Sequence, residues 1–332
     1  MVANTFHLFF HQDFDGITSA AVFLSYAKRL DLLSHSRVEL VPVDYELKKE
    51  WPDRTLPKPG AIVDFLYHPD ADWWFDHHPT TFARTDWELS FREDSQHIWN
   101  TSYKSCPRLI VDSIRDERVR HALSSRFEEY MHWSDVIDSA DYESAQQVVD
   151  SKDPALQVNL SLAIDRSPDY LRLLIKHFEE ESLGGVVKLA EVRSRVRKAM
   201  EWQEAAISFV AHVGEVRNGV AFCDLTSTKG LFHRYAAYYL WPQIKFLVAV
   251  YKNDKWFKLT VGANPWQAFR GPDLSLLCER YGGGGHPEIG GILVSKKGRA
   301  LEIAREITLI LRGEKQNAQQ LSFRHQVIRQ SH

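Results

Sequence analysis

The sequence predicts an α/β protein with a doubly wound parallel sheet in its N-terminal half, then a helical connector and a smaller C-terminal α+β domain. Three observations predict this organisation. Short apolar runs alternate with amphipathic helical patterns through the first half, region 170–210 is helical almost throughout, and strand-like runs return after it. Alternating strands and helices are typical of a parallel sheet covered by helices.

The elements of the first domain can be placed from their spacing. Apolar runs predict strands over 6–10, 37–45, 61–65 and 72–78, and apolar residues at helical spacing predict helices over 18–33 and 116–140. We place the first domain at 1–178 and the connector at 179–212. The connector is predicted because charged faces and apolar stripes alternate there, interrupted only by Gly184 and Gly185.

The second domain is predicted at 213–313, followed by a polar tail at 314–332. Its strand-like runs cover 219–225, 244–252 and 256–263, with turns at Trp241 and Pro242 and at Asn253 and Asp254. A helix over 273–281 then leads into four successive glycines.

Composition and charge limit the function. The 332 residues are 44% hydrophobic and 26% charged, which is enough for two folded domains. The net charge of -3 gives no broad basic surface, so we expect no binding to long duplex DNA. No apolar run has the length of a membrane span, and the three cysteines form no C-x-x-C pair, so we expect a cytoplasmic protein without membrane contact.

Acidic and imidazole residues follow three predicted strands. An isolated aspartate after a strand is commonly a helix N-cap or turn residue, but several at successive strand ends indicate a ligand site. Clustered carboxylates repel each other, and a pair of divalent metal ions would remove that cost. Oxygen and imidazole ligands without thiolates favour Mn²⁺ or Mg²⁺ over structural zinc. The residues are Asp13 and Asp15, Asp64, and Asp76, His77 and His78.

The motifs "HQDFDG", Asp64 after its strand, and "DHH" at 76–78 resemble the first three motifs of the DHH phosphoesterase superfamily. "GGGGHPEIGG" at 282–291 resembles the glycine-rich motif of the DHHA1 domain that often follows. These motifs occur in the order typical of the family, and together they span nearly the whole chain. The short first motif is most similar to that of RecJ-like and NrnB-like members.

The resemblance implies metal ligands and substrate contacts at matching positions. His11 and Asp13 would bind one metal, Asp15 and His77 the second, and Asp64 both. Asp76 would orient an imidazole, while His78 would face the substrate phosphate. The segment "MHWSDVIDSADY" resembles the fourth motif and makes Asp135 the remaining ligand, with Asp138 and Asp141 left open as alternatives.

In the second domain, Gly283, Gly284 and Gly285 would let backbone N–H groups approach an anion. His286 would donate a hydrogen bond to phosphate or to the leaving oxygen, and Arg270 would bind phosphate. The resemblance therefore implies an active site in the cleft between the two domains.

The implied function is two-metal hydrolysis of phosphodiester or phosphomonoester bonds. The expected cofactors are two divalent ions, with Mn²⁺ first and Mg²⁺ or Co²⁺ as alternatives, and the expected substrate is a small nucleotide or a short single-stranded oligonucleotide. Cyclic dinucleotides and polyphosphate are alternative substrates, and a nucleotide-binding protein without catalysis is the alternative of another class. A homodimer is one assembly left open.

Overall fold

The computed structural model describes residues 4–229, 233–252 and 255–314, so the predicted turn at Asn253 and Asp254 and nearly all of the predicted tail lie outside the described residues. The chain divides into two compact units. The first holds Met1–Tyr142 and Ser151–Ala199, and the second holds Glu143–Asp150 and Met200–His332. The division at Ala199 falls inside the predicted connector.

The first unit is built on a five-stranded sheet whose strands are all parallel and lie in the order β2-β1-β3-β4-β5. The chain adds β2 on one side of β1 and then β3 to β5 on the other. A switch point therefore lies between β1 and β3, which is where open parallel sheets bind ligands. The strands are β1 Asn4–His11, β2 Ser36–Val43, β3 Gly60–Val63, β4 Trp73–Asp76 and β5 His97–Trp99.

Helices pack on the first unit's sheet because its strands β3 and β4 are buried on both faces. The helix α1 is buried over most of its length, and its small residues Ser19, Ala20 and Ala21 allow close packing. The helices that lie within this unit are α1 Phe14–Arg29, α2 Thr85–Ser90, α3 Cys106–Ser113, α4 Glu117–Asp138, α6 Pro154–Leu162, α7 Pro168–Glu180 and α8 Leu183–Val186, with 3-10 helices at Tyr45–Lys49 and Trp51–Asp53.

The second unit has a mixed six-stranded sheet in the order β10-β11-β9-β8-β7-β6, in which only β7 and β8 pair in parallel among the described strands. Its elements are β6 Gly214–Arg217, β7 Val220–Lys229, β8 Phe246–Lys252, β9 Phe257–Ala263, β10 Gly284–His286, β11 Ile289–Val294, α5 Ala145–Asp150, α10 Ala236–Leu240, α11 Leu274–Glu279 and α12 Lys297–Leu311. The helix α9 Ala190–Val213 begins in the first unit and ends in the second.

Two of the four successive glycines lie in a strand. Gly284–His286 forms β10, which pairs antiparallel with β11. Gly285 has φ 149°, and a Cβ built there would lie 2.2 Å from the Ile289 carbonyl oxygen. Glycine is needed at this position because a side chain has no room beside the neighbouring strand. Within the described parts of the chain, no helix combines the length and apolar character needed to cross a membrane.

Candidate active site

The predicted residues of the first motif lie at the end of β1 and the start of α1. His11 is the last residue of β1, and Asp13 caps α1 by accepting a hydrogen bond from Gly16 N–H at 2.9 Å. Asp15 lies in the first helical turn and is buried. Glycine is required at position 16 in this tight turn, because a Cβ there would lie 2.2 Å from the His11 carbonyl oxygen.

The second and third motifs follow the neighbouring strands β3 and β4. Asp64 comes directly after β3, is fully buried and has φ 56°, a left-handed conformation that is uncommon outside glycine. Its N–H donates to the Phe75 carbonyl oxygen at 2.9 Å, which ties it to β4. Asp76 ends β4, and His77 and His78 follow it. Three strand ends thus place these side chains at the switch point.

The side chains form two adjacent groups. In the first, His11 Nδ1 lies 2.7 Å from Asp13 Oδ2 and 3.8 Å from Asp64 Oδ2. In the second, His77 Nε2 lies 3.5 Å from Asp15 Oδ2, 3.5 Å from Asp64 Oδ1 and 3.6 Å from Asp138 Oδ2. We call these donor group one and donor group two. Asp64 faces one group with each of its oxygens.

Several atoms of the two groups lack hydrogen-bond partners. Neither oxygen of Asp64, nor Asp15 Oδ1, nor His77 Nε2 makes a hydrogen bond with any residue that the structure describes, although all four atoms are buried. Buried polar atoms without partners are costly and rare in folded proteins. Their convergence fits a divalent cation, because oxygen and imidazole donors are the ligands that Mn²⁺ and Mg²⁺ accept.

Two histidines are oriented by other groups. His77 Nδ1 lies 3.1 Å from the Tyr103 carbonyl oxygen, which only accepts, so Nδ1 carries the hydrogen and Nε2 is left as a ligand. His78 Nδ1 lies 2.8 Å from Asp76 Oδ1. Asp76 is therefore placed to hold the orientation of the His78 ring.

Burial and charge shift the pKa values of these groups. Burial alone would lower the pKa of His77, but the carboxylates of Asp15 and Asp64 raise it to about 12. Burial, together with the charges of Asp15 and Asp13, raises the pKa of Asp138 to about 7, and burial beside Asp15 raises the pKa of Asp64 well above its usual range. Without cations, the cluster therefore carries protons that cations would displace.

In the fourth motif, the sequence favours Asp135 as the metal ligand, but the structure places Asp138 in the site instead. Asp138, one of the two alternatives, lies in donor group two. Asp135 does not join either group, because its carboxylate accepts hydrogen bonds from Ser105 Oγ and Arg108 Nε. Asp141, the other alternative, forms an exposed ion pair with Lys104 at 2.8 Å.

The predicted residues of the second unit lie around β9, β10 and β11. Arg270 is exposed in the segment after β9 and lines a small cavity of about 160 Å³ with Lys245, Phe246 and Phe269. Gly284, Gly285 and His286 form β10, with Gly283 just before it. His286 is exposed.

Tyr45 lies beside the donor groups, although no sequence motif indicates it. Its ring centroid lies 5.0 Å from that of His11 and 5.9 Å from that of His78, and its buried hydroxyl has no partner among the described residues. Burial and the nearby carboxylates, Asp76 first among them, raise the pKa of Tyr45, so the hydroxyl keeps its proton. Its position just after β2, at the same edge as the other motifs, is the signal that could have found it.

This parallel sheet, with acidic and histidine donors at three strand ends and a second mixed-sheet unit, has the fold of the DHH-domain proteins, as the motifs predict. The pGpG-specific phosphodiesterase PggH of Vibrio cholerae is similar over 93% of this chain and 99% of its own, with 18% identity and a TM-score of 0.70. A structure of exonuclease RecJ bound to manganese is similar over 93% of this chain and 90% of its own, with 11% identity and a TM-score of 0.51.

A third similar structure is the DHH domain of a protein described as a member of a family of ribosomal proteins, with 15% identity and a TM-score of 0.52. The similarity covers 93% of this chain and 87% of that domain. At the level of sequence alone, no protein-family profile and no curated protein matches the chain. The structural similarity establishes the fold. Because the sequence identities are this low, the activity has to be argued from the site.

Proposed function

We propose that this protein is a hydrolase that uses two divalent metal ions to cleave phosphodiester or phosphomonoester bonds in small nucleotides or short single-stranded oligonucleotides. The observation that carries the proposal is the position of Asp64, which is fully buried and faces a separate donor group with each oxygen. A protein that only binds a nucleotide has no need for a carboxylate shared in this way.

The two donor groups would hold one ion each. His11 and Asp13 would bind the first ion, Asp15, His77 and Asp138 the second, and Asp64 both. We expect Mn²⁺, with Mg²⁺ and Co²⁺ as alternatives. Such a pair lowers the pKa of bound water and neutralises charge on the phosphate.

His78 would bind the substrate phosphate. Burial alone would lower its pKa, but the hydrogen bond with Asp76 raises it, and the same bond directs Nδ1 at Asp76. A protonated ring would then offer its Nε2 hydrogen to a phosphate oxygen. The role of Asp76 is to hold this ring orientation, since a carboxylate partner fixes the rotation and the tautomer of an imidazole.

We also propose that the second unit supplies phosphate contacts, from Arg270, from His286 and from the backbone of Gly283, Gly284 and Gly285. No acidic side chain in the described parts of the chain pairs with Arg270, so its guanidinium is available to a ligand. His286 is exposed and is proposed to donate a hydrogen bond to the leaving oxygen.

The substrate we favour is a linear dinucleotide, because the similar PggH is described as specific for pGpG. The net charge of -3 supports a small ligand, since long nucleic acids are bound through many phosphate contacts with basic groups. Three free buried cysteines support a reducing compartment, so we propose a cytoplasmic location. A homodimer remains a proposal that light scattering of the purified protein tests.

The test is turnover of a substrate panel with Mn²⁺. The panel contains pGpG, a short single-stranded oligonucleotide, a cyclic dinucleotide, 3′-phosphoadenosine 5′-phosphate and polyphosphate. We expect hydrolysis of pGpG or the oligonucleotide that disappears when the metal is chelated. Activity confined to polyphosphate would overturn the proposed substrate class, and tight nucleotide binding without turnover would favour the non-catalytic alternative.

A further inference from the structure

The first turn of α3 contacts donor group two directly. The backbone N–H of Cys106 donates to Asp15 Oδ2 at 2.9 Å, and both residues are buried. This bond fixes one oxygen of Asp15 and leaves Oδ1 without a partner among the described residues. The direction in which Asp15 presents its carboxylate therefore depends on where the first turn of α3 lies.

The N-cap residue of α3 does not cap its own helix. Ser105 is fully buried, and its hydroxyl makes no capping bond; instead, Oγ donates to Asp135 Oδ1 at 2.5 Å. A serine at this position usually satisfies an N–H of the first turn. Here the side chain links α3 to α4.

A second residue of the same turn contacts the other oxygen of Asp135. Arg108 Nε donates to Asp135 Oδ2 at 2.5 Å, and the side chains of Arg108 and Asp135 are 36% and 18% exposed. Both oxygens of Asp135 are therefore taken by the first turn of α3. A charge-assisted pair combined with a buried hydroxyl bond is stronger and more directional than an exposed ion pair.

The position of Asp135 on α4 links this contact to a second ligand. Asp138 lies three residues further along the same helix and reaches donor group two. Residues three apart lie on one side of a helix, so a contact that fixes Asp135 also fixes the rotation and height at which α4 presents Asp138.

We propose that Asp135 is a positioning residue, which through Ser105 and Arg108 sets the turn of α3 that holds Asp15 and the turn of α4 that carries Asp138. The inference rests on the proposed metal site of donor group two. Asp135 is then not a metal ligand, although the sequence motif alone predicts that it is one.

The test is Mn²⁺ affinity of the full chain, measured by the electron paramagnetic resonance signal of free Mn²⁺. Asp135→Asn keeps the size of the side chain but removes the charge that pairs with Arg108 and replaces one accepting oxygen by an N–H donor. We expect one of the two ions, the one at donor group two, to lose about 10- to 100-fold in affinity, the range typical for residues that orient metal ligands. Unchanged affinity for both ions would overturn the proposal.

Glu179→Gln is the matched control. Glu179 also accepts from a serine and a cation, Ser25 at 3.4 Å and Lys28 at 2.6 Å, and is largely buried. Ser25 lies ten residues beyond Asp15 on α1, about 15 Å along the helix. Glu179→Gln should lower thermal stability without changing Mn²⁺ affinity, and an equal loss of affinity in this variant would mean that the effect of Asp135→Asn is general destabilisation.

Ser105→Ala and Arg108→Gln distinguish a positioning role of Asp135 from a role as metal ligand. The same two variants replace Asp135→Asn in the test if that variant does not fold. If Asp135 acts by positioning, both variants weaken Mn²⁺ binding. If Asp135 is itself a ligand, both release its carboxylate and leave binding unchanged or tighter, which would contradict the proposal. This test measures metal affinity and does not depend on turnover. A wild-type protein that binds Mn²⁺ but hydrolyses nothing would therefore refute the proposed function, while the role of Asp135 could still be tested.

Discussion

Asp64 is the residue on which both donor groups depend. It adopts a left-handed backbone conformation, is fully buried and faces His11 with one oxygen and His77 with the other. A strained backbone and two unpartnered oxygens in one residue are hard to explain by stability, because each costs free energy. They are explained if cations bind both oxygens.

Asp64→Asn should abolish most activity while preserving the fold. Asparagine has the same shape and tolerates the left-handed conformation, but it cannot supply a negative oxygen to each donor group. We expect turnover with Mn²⁺ to fall on the order of 10²-fold or more. Metal-free protein should be at least as resistant to thermal unfolding as wild type, because a repelling carboxylate is removed. Retained turnover would show that Asp64 is not a shared ligand.

Tyr45 offers a stability test at the residue scale. Its hydroxyl is buried without a partner among the described residues, so Tyr45→Phe should leave the free energy of unfolding of metal-free protein unchanged or raise it by about 1 kcal/mol. Tyr130→Phe is the control, because the Tyr130 hydroxyl donates to the Glu181 carbonyl oxygen at 2.9 Å and its loss should cost about 1 kcal/mol. Urea denaturation measures both, and a larger loss in Tyr45→Phe would contradict the structure.

At the scale of elements, the passage from β1 into α1 determines the geometry of donor group one. The turn brings Asp13 back toward His11, and Gly16 allows it because its Cα approaches the β1 backbone. Apolar spacing predicted that β1 and α1 exist, since both are long and buried, but it placed α1 over 18–33, four residues too late. It missed β5, which has three half-buried residues, and β10, because a run of glycines carries no strand pattern.

Gly16→Ala should distort this passage. The added Cβ would lie 2.2 Å from the His11 carbonyl oxygen, so the chain must shift, at a cost of about 1–3 kcal/mol in the free energy of unfolding. Mn²⁺ affinity should fall as well, because His11 moves with the turn. Gly184→Ala is the control: its nearest described neighbour is 3.8 Å away. Equal tolerance of the two substitutions would refute this explanation of Gly16.

At the scale of the whole molecule, the strand order explains why distant motifs meet. The sequence predicts which residues follow strands, and the switch point between β1 and β3 then brings three of those strand ends together. The choice between Asp135 and Asp138 could not be made this way. Both lie in the last turns of α4, and their roles depend on how α4 packs against α3, a contact between residues about 30 positions apart.

The most direct test of the central claim is the number of Mn²⁺ ions bound per chain, measured by equilibrium dialysis of wild type and Asp64→Asn. Two donor groups that share Asp64 predict two ions in wild type and at most one tightly bound ion in the variant. A single ion in wild type, or two ions held equally tightly by both proteins, would contradict the shared-ligand site.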